Sequence, residues 1–186
     1  MRKFLTIFAS FIFFNLIFAN NLEFTSTQIQ ANESGVIELL LDNPEDEIAG
    51  IQLQIVDYPN HGFFTNIEPT DRLANFMVSF EEQANGSVIV LAFSLSGDVI
   101  NTGSGAIFSL TYQSNNQYSS EISVSLIPEA SLLGDITGTP LEYTFTDGTI
   151  TVLGENPPDI QSVENLTATG GYGSISLFWD DPNVVD

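Results

Sequence analysis

The chain has 186 residues, 24 acids against three Lys or Arg and one His, no cysteine, and 43% hydrophobic side chains. So acidic a surface repels phosphate backbones and anionic headgroups, which excludes nucleic acid and membrane surfaces as partners. The lack of cysteine excludes disulfides, thiol nucleophiles and Cys-ligated zinc, so stability has to come from a hydrophobic core.

At the N-terminus, Arg2 and Lys3 precede an apolar run from Phe4 to Phe18 and the small residue Ala19. This is the pattern of a secretory signal peptide over residues 1–19, cut before Asn20. The run is too short to span a bilayer comfortably and no stop-transfer pattern follows. The mature chain is therefore expected to be secreted or held at the cell surface without inserting in a membrane. Removing the signal leaves Arg72 as the only Lys or Arg against all 24 acids.

Beyond it, nearly every apolar stretch alternates with period two, the signature of half-buried strands. Leu22 and Phe24 open a first strand, which turns polar at Thr25, Ser26 and Thr27. Val36–Leu41 follows, with Ile37, Leu39 and Leu41 on one face. Ile51, Leu53 and Ile55 alternate with Gln52 and Gln54. Phe76, Val78 and Phe80 lead through the turn signal Asn85-Gly86 into Val88–Phe93, which is apolar on both faces and so reads as a central strand. Phe108–Tyr112 and Ile122–Leu126 are further strands, and Tyr143–Val152 closes the series around Asp147-Gly148. Alternation fails over Tyr58–Ala74 and Glu129–Thr139, where helices remain open. Short strands at this spacing predict an all-β, antiparallel two-sheet β-sandwich over residues 20–153.

Gly, paired Pro and acids over residues 154–160 are linker chemistry. Residues 161–186 then carry two strand-like pieces, Val163–Thr169 and Ser174–Trp179, too little to close a sandwich. They read as an incomplete β-domain.

Four pieces of the first domain resemble a cohesin-type module: Gly35–Asn43, Ile48–Ile55, Ser104–Tyr112 and Asp147–Val152. That resemblance implies a jelly-roll sandwich related to carbohydrate-binding modules and used as an extracellular docking receptor. After the linker, Leu166–Thr169 and Ser174–Trp179 resemble the opening of a fibronectin type III domain, with Trp179 as its core tryptophan. Two features depart from the cohesin pattern. The usual Tyr-Asp-Pro is transposed to Asp57-Tyr58-Pro59, and the Asn and Asp that recognise dockerins in some cohesins correspond to Gly50 and Gln52.

No pair of carboxylates is set apart as an acid and base, His61 is a lone histidine in a turn-like setting, and nucleophile-elbow and phosphate-loop patterns are missing. No catalytic residue is assigned, and the chain reads as a non-enzyme. Gln52 and Gln54, pointing away from the apolar face of their strand, are the candidate contacts for an extracellular protein partner, dockerin-like or other. The alternative is a carbohydrate-binding module for a polysaccharide, with Tyr58, Phe63 and Phe64 as its aromatic rim. A structural spacer in an adhesin would need no site. Asp42, Glu45, Asp46 and Glu47 crowd one loop whose oxygens would suit Ca²⁺, although the EF-hand spacing is missing and a hydrated acidic loop is the better reading.

Overall fold

Thr25 and Ser26, the residues that spoil the first strand's alternation, are where the chain changes sheets. The computed structural model describes residues 19–156, 164–171 and 174–180, with only the backbone of Trp179. The expected signal peptide apart from Ala19 and the expected linker from Pro157 onward lie outside the described residues, as does the side chain of Trp179. β1 (Asn20–Phe24) and β2 (Thr27–Gln30) are followed by β3 (Ser34–Asn43), β4 (Gly50–Tyr58) and β5 (Gly62–Pro69). Then come β6 (Met77–Glu82), β7 (Val88–Phe93), β8 (Gly103–Ser114), β9 (Ser120–Leu126) and β10 (Leu132–Gly134). β11 (Pro140–Leu141), β12 (Tyr143–Thr146) and β13 (Gly148–Leu153) complete the first unit, with 3-10 turns at Asp71–Leu73 and Pro128–Ala130.

Two sheets face each other. One has the order β12-β1-β3-β8-β5; in the other, β11-β10-β4-β9-β13-β2, β4 also carries β7 and β6 on its other side. At the crossover Thr25 Oγ1 accepts from the Glu38 amide and Ser26 Oγ from the Thr149 amide, so hydroxyls replace the ladder bonds lost there. Two pairings are parallel, β1 with β12 and β2 with β13, because the closing segment also divides between sheets instead of forming one strand pair. The rest of both sheets is antiparallel, as the alternation implied. Inward residues interdigitate: Ile37, Leu39, Leu41, Phe108 and Leu110 from one sheet meet Leu53, Ile55, Val90, Ile122 and Val124 from the other, all buried. Each such side chain stabilises the fold by roughly 1.5–3 kcal/mol through removal from water.

The two segments left open to helices are strands with defects. In β5 a bulge between Phe64 and Asn66 turns both Phe64 and Ile67 inward, so period two is broken although the strand continues. β9 and β10 run along the same side of β4, interrupted by the Pro128–Ala130 turn. β7 is internal to its sheet, as expected, but its second apolar face is not covered: Leu91 and Phe93 are 37% and 42% exposed.

The second unit runs from Asn156. Its described part is an antiparallel hairpin of β14 (Glu164–Gly171) and β15 (Ser174–Asp180), with Ala168 opposite Leu177 and Gly170 opposite Ile175. Leu166, Ile175 and Leu177 on it are exposed.

Candidate docking face

The outer faces of the two sheets differ chemically. On the first, Glu23, Glu38, Ser109, Thr111 and Gln113 alternate with the core residues, with Val36 and Phe63 as exposed apolar residues among them. On the second, the end built by β9, β13 and β2 is likewise polar, with Gln28, Glu121, Ser123 and Thr151 outward. The other end, β6-β7-β4-β10, is apolar. Register places Met77 opposite Phe93, Ser79 opposite Leu91, Leu91 opposite Gln52 and Gln52 opposite Leu132, all on one face. Met77 (54% exposed), Leu132 (43%) and Ile136 (69%) join Leu91 and Phe93 there. Contiguous exposed side chains of this size and apolarity are the kind of surface on which interaction sites are sought.

A shallow groove of about 410 Å³ runs through this patch, between Leu91 and Phe93 on one side and Leu132 and Ile136 on the other. Ile136 is held over it by a rigid loop. Asp135 Oδ1 accepts from the Thr137 amide (2.8 Å), the Thr137 hydroxyl (2.7 Å) and the Thr139 amide (2.8 Å). These donors hold the Asp135 carboxyl below its ordinary pKa, the Thr137 hydroxyl foremost.

Gln52 and Gln54 do lie on this outer face, but their amides are already engaged. Gln52 Nε2 donates to Ala130 O over 3.2 Å and holds the Pro128–Ala130 turn against β4. Gln54 Nε2 donates to Ser87 Oγ over 2.7 Å and ties down the β6–β7 loop, while its backbone amide donates to Ser131 Oγ. Gln52 is exposed and lines the groove; Gln54 is half-buried. The apolar contributors Leu91, Phe93, Leu132 and Ile136 were missed by sequence reasoning. The surplus hydrophobicity of Val88–Phe93 was the signal for Leu91 and Phe93, and it was read as the mark of a central strand, which β7 is.

The aromatic trio divides. Tyr58 is 80% exposed and Phe63 exposed, but Phe64 is 4% exposed and packs its ring edge-on against Tyr112 at 5.2 Å. Phe64 therefore belongs to the core, and the expected three-ring rim does not form. Tyr112 in turn donates its hydroxyl to Asp57 Oδ2 over 2.7 Å, inside the protein. Burial pushes the Asp57 carboxyl above its ordinary pKa, and the Tyr112 phenol is raised as well, first by burial and then by its bond to Asp57. His61 is structural too: its Nδ1 lies 3.1 Å from Asn116 Nδ2, and its carbonyl accepts from the Asn115 amide.

The acidic loop does not converge on a point. Asp42, Glu45 and Glu47 are exposed, while Asp46 Oδ2 accepts from Asn20 Nδ2 over 2.9 Å. Among the described residues no three His, Cys, Asp or Glu side chains are grouped as metal ligands would be. The cation behind this loop is Arg72, whose guanidinium donates to Asn43 Oδ1 (2.6 Å) and to the carbonyls of Leu41 (2.7 Å), Asn101 (3.0 Å), Gly103 and Gly105 (both 3.3 Å).

No protein-family model and no curated protein matches the sequence. Solved structures do match. The sixth cohesin of scaffoldin B from Acetivibrio cellulolyticus, solved with the Cel5 dockerin, superposes with a TM-score of 0.62 at 17% identity, covering 73% of this chain and 99% of that one. The seventh ScaB type I cohesin of Pseudobacteroides cellulosolvens gives 0.61 at 16% identity over 77% and 98%. The non-cellulosomal cohesin of the archaeon Archaeoglobus fulgidus gives 0.60 at 14% identity over 73% and 91%. The first unit has the cohesin fold. At these identities the likeness is one of backbone architecture, and the docking face has to be argued from this chain's own residues.

Proposed function

We propose that the cohesin-like unit is a non-catalytic docking module that receives a protein partner on the outer face of β6, β7, β4 and β10. The observation that carries this reading is the contiguous patch of Met77, Leu91, Phe93, Leu132 and Ile136, five large exposed apolar side chains against two, Val36 and Phe63, on the outer face of the first sheet. The neighbouring cohesins crystallised with dockerins make a dockerin-type module the first partner to test. A signal peptide over residues 1–19 would deliver this module outside the cell, and the hairpin after the linker is the part that resembles a fibronectin type III domain. The carbohydrate alternative retains only Tyr58 and Phe63 as exposed rings, and the spacer alternative leaves the apolar patch without a use.

The test is calorimetric titration of the full chain with a panel of dockerin modules. Saturable one-to-one binding is expected, weakened by more than about tenfold in Leu91→Asp and Phe93→Asp, since central apolar contacts dominate such interfaces. Both side chains are substantially exposed, so the melting temperature should hold. Binding that ignores both substitutions would place the partner elsewhere and overturn the proposal.

A further inference from the structure

The floor of the groove is made by two glycines, Gly50 on β4 and Gly134 on β10, which are direct register partners. The fold does not require glycine at either position. Neither has a positive φ, and a Cβ added at Gly50 would approach nothing closer than Ala92 O at 4.0 Å, or at Gly134 nothing closer than Gly50 O at 3.9 Å. Glycine within a strand weakens it, and one kept without a steric reason marks a place where another molecule comes close to the backbone.

Beside these glycines the walls are Leu91 and Phe93 on one side and Leu132 and Ile136 on the other. The charges around them are of one sign. Asp135 lines the groove, Glu81 shares the outer face opposite Ile89, and Glu129 stands in the turn that Gln52 holds. Arg72, the only Lys or Arg among the described residues, has its guanidinium turned into a set of carbonyls. Nothing basic therefore borders the groove to receive an acidic partner.

We infer that the Gly50–Gly134 floor is a slot for one bulky apolar side chain projecting from a partner surface that is otherwise cationic. The inference rests on the docking reading above and sharpens it, because at Gly50 and Gly134 the groove offers backbone between apolar walls, with Gln52 beside it. Lys or Arg around the inserted side chain would meet Asp135, Glu81 and Glu129, and their attraction would weaken as salt screens it.

Three short helical peptides test this against the isotope-labelled full chain, read by amide chemical shifts. One is lysine-rich with a single central Phe, the second has that Phe replaced by Ala, and the third has Glu in place of Lys. The first should saturably shift the amides of Gly50, Leu91, Gly134 and Ile136. The Ala peptide should bind about tenfold more weakly or worse, as expected for loss of one buried aromatic side chain. The Glu peptide should leave the groove unmoved. Gly134→Val should fill the slot and abolish the shifts with the melt unchanged; if its melt falls, Gly50→Ala repeats the test. Equal binding of the Phe and Ala peptides at the groove, or unimpaired binding to the filled variants, would overturn the slot and leave docking on this face intact. A groove silent to all three peptides would also overturn the slot, and the dockerin titration with Leu91→Asp would then judge the docking reading independently.

Discussion

Arg72 donates from Nη2 to the buried Oδ1 of Asn43 across 2.6 Å, while Asn43 Nδ2 donates to the carbonyls of Asp46 and Asn101. One cation thus ties the 3-10 turn after β5 to the end of β3, to the acidic loop and to the start of β8. Replacing Arg72 by Met would leave the Asn43 oxygen without a donor, and a buried unsatisfied acceptor costs about 1–3 kcal/mol. Loss of the carbonyl contacts adds to this. Arg72→Lys, with a point charge in place of a planar fork, should recover only part of the loss. Urea denaturation midpoints of the two variants at fixed salt measure both effects; a midpoint for Arg72→Met equal to wild type would refute the assignment.

The Asp57–Tyr112 pair makes a prediction about pH. Asp57 has its folded pKa raised above the ordinary aspartate value, chiefly by burial, so ionising it costs the folded state more than the unfolded one. The sign follows. Below the unfolded pKa there is no penalty; stability falls as pH rises from about there through the raised folded value, and is level beyond it. Asp57→Asn should abolish that decline. Because mutual repulsion among the other acids also grows as they ionise, the quantity to plot is the difference in denaturation midpoint between wild type and Asp57→Asn from acid to neutral pH. A difference independent of pH would mean that Asp57 titrates normally.

Asp135 runs the other way. Its carboxyl is held low by the Thr137 hydroxyl and the amides of Thr139, Thr137 and Gly138, so the order it imposes is present above the ordinary aspartate range and is lost as pH falls through its depressed pKa. Protection of the Thr137 and Thr139 amides from exchange, relative to their intrinsic rates, should drop over that acid range and be low at all pH values in Asp135→Ala. The melting temperature should barely move, since the group is on the surface. If docking uses Ile136, the same variant should weaken partner binding without unfolding anything.

The sandwich was legible because alternation is a direct consequence of one buried face per strand. Val36–Leu41, Ile51–Ile55 and Ile122–Leu126 carry that pattern without interruption and lie in β3, β4 and β9. What escaped was set by pairing between distant residues. The bulge at Phe64–Asn66 exists because β5 must match the register of β8, and no local pattern announces it. The segment Tyr143–Val152 looks continuous, yet its halves pair with strands from the opposite end of the chain. On the candidate face, the outward phase of Gln52 was legible in the sequence. The central position of Val88–Phe93 was legible too, but not the exposure of Leu91 and Phe93, because an apolar residue looks alike to the sequence whether or not its face is covered.

The glycines supply the last prediction, in which the same substitution has opposite signs at two positions. At Gly148, where the closing segment passes the first crossover, a Cβ would overlap Thr25 O and Phe24 Cβ and press on Ile37 Cδ1. Thr25 O belongs to a backbone fixed by Thr25's bonds to Glu38, and Phe24 Cβ moves only with that backbone, so relief requires moving a sheet crossover. Gly148→Ala should destabilise by about 1–3 kcal/mol, the usual cost of overpacking a core. At Gly50 the added methyl meets open space, and the alanine loses less conformational freedom on folding, so Gly50→Ala should stabilise by about 0.5–1 kcal/mol. Thermal melts of the two single variants decide it. A Gly50→Ala protein that is clearly less stable than wild type would give that glycine a structural duty and remove the reason to reserve the groove floor for a partner.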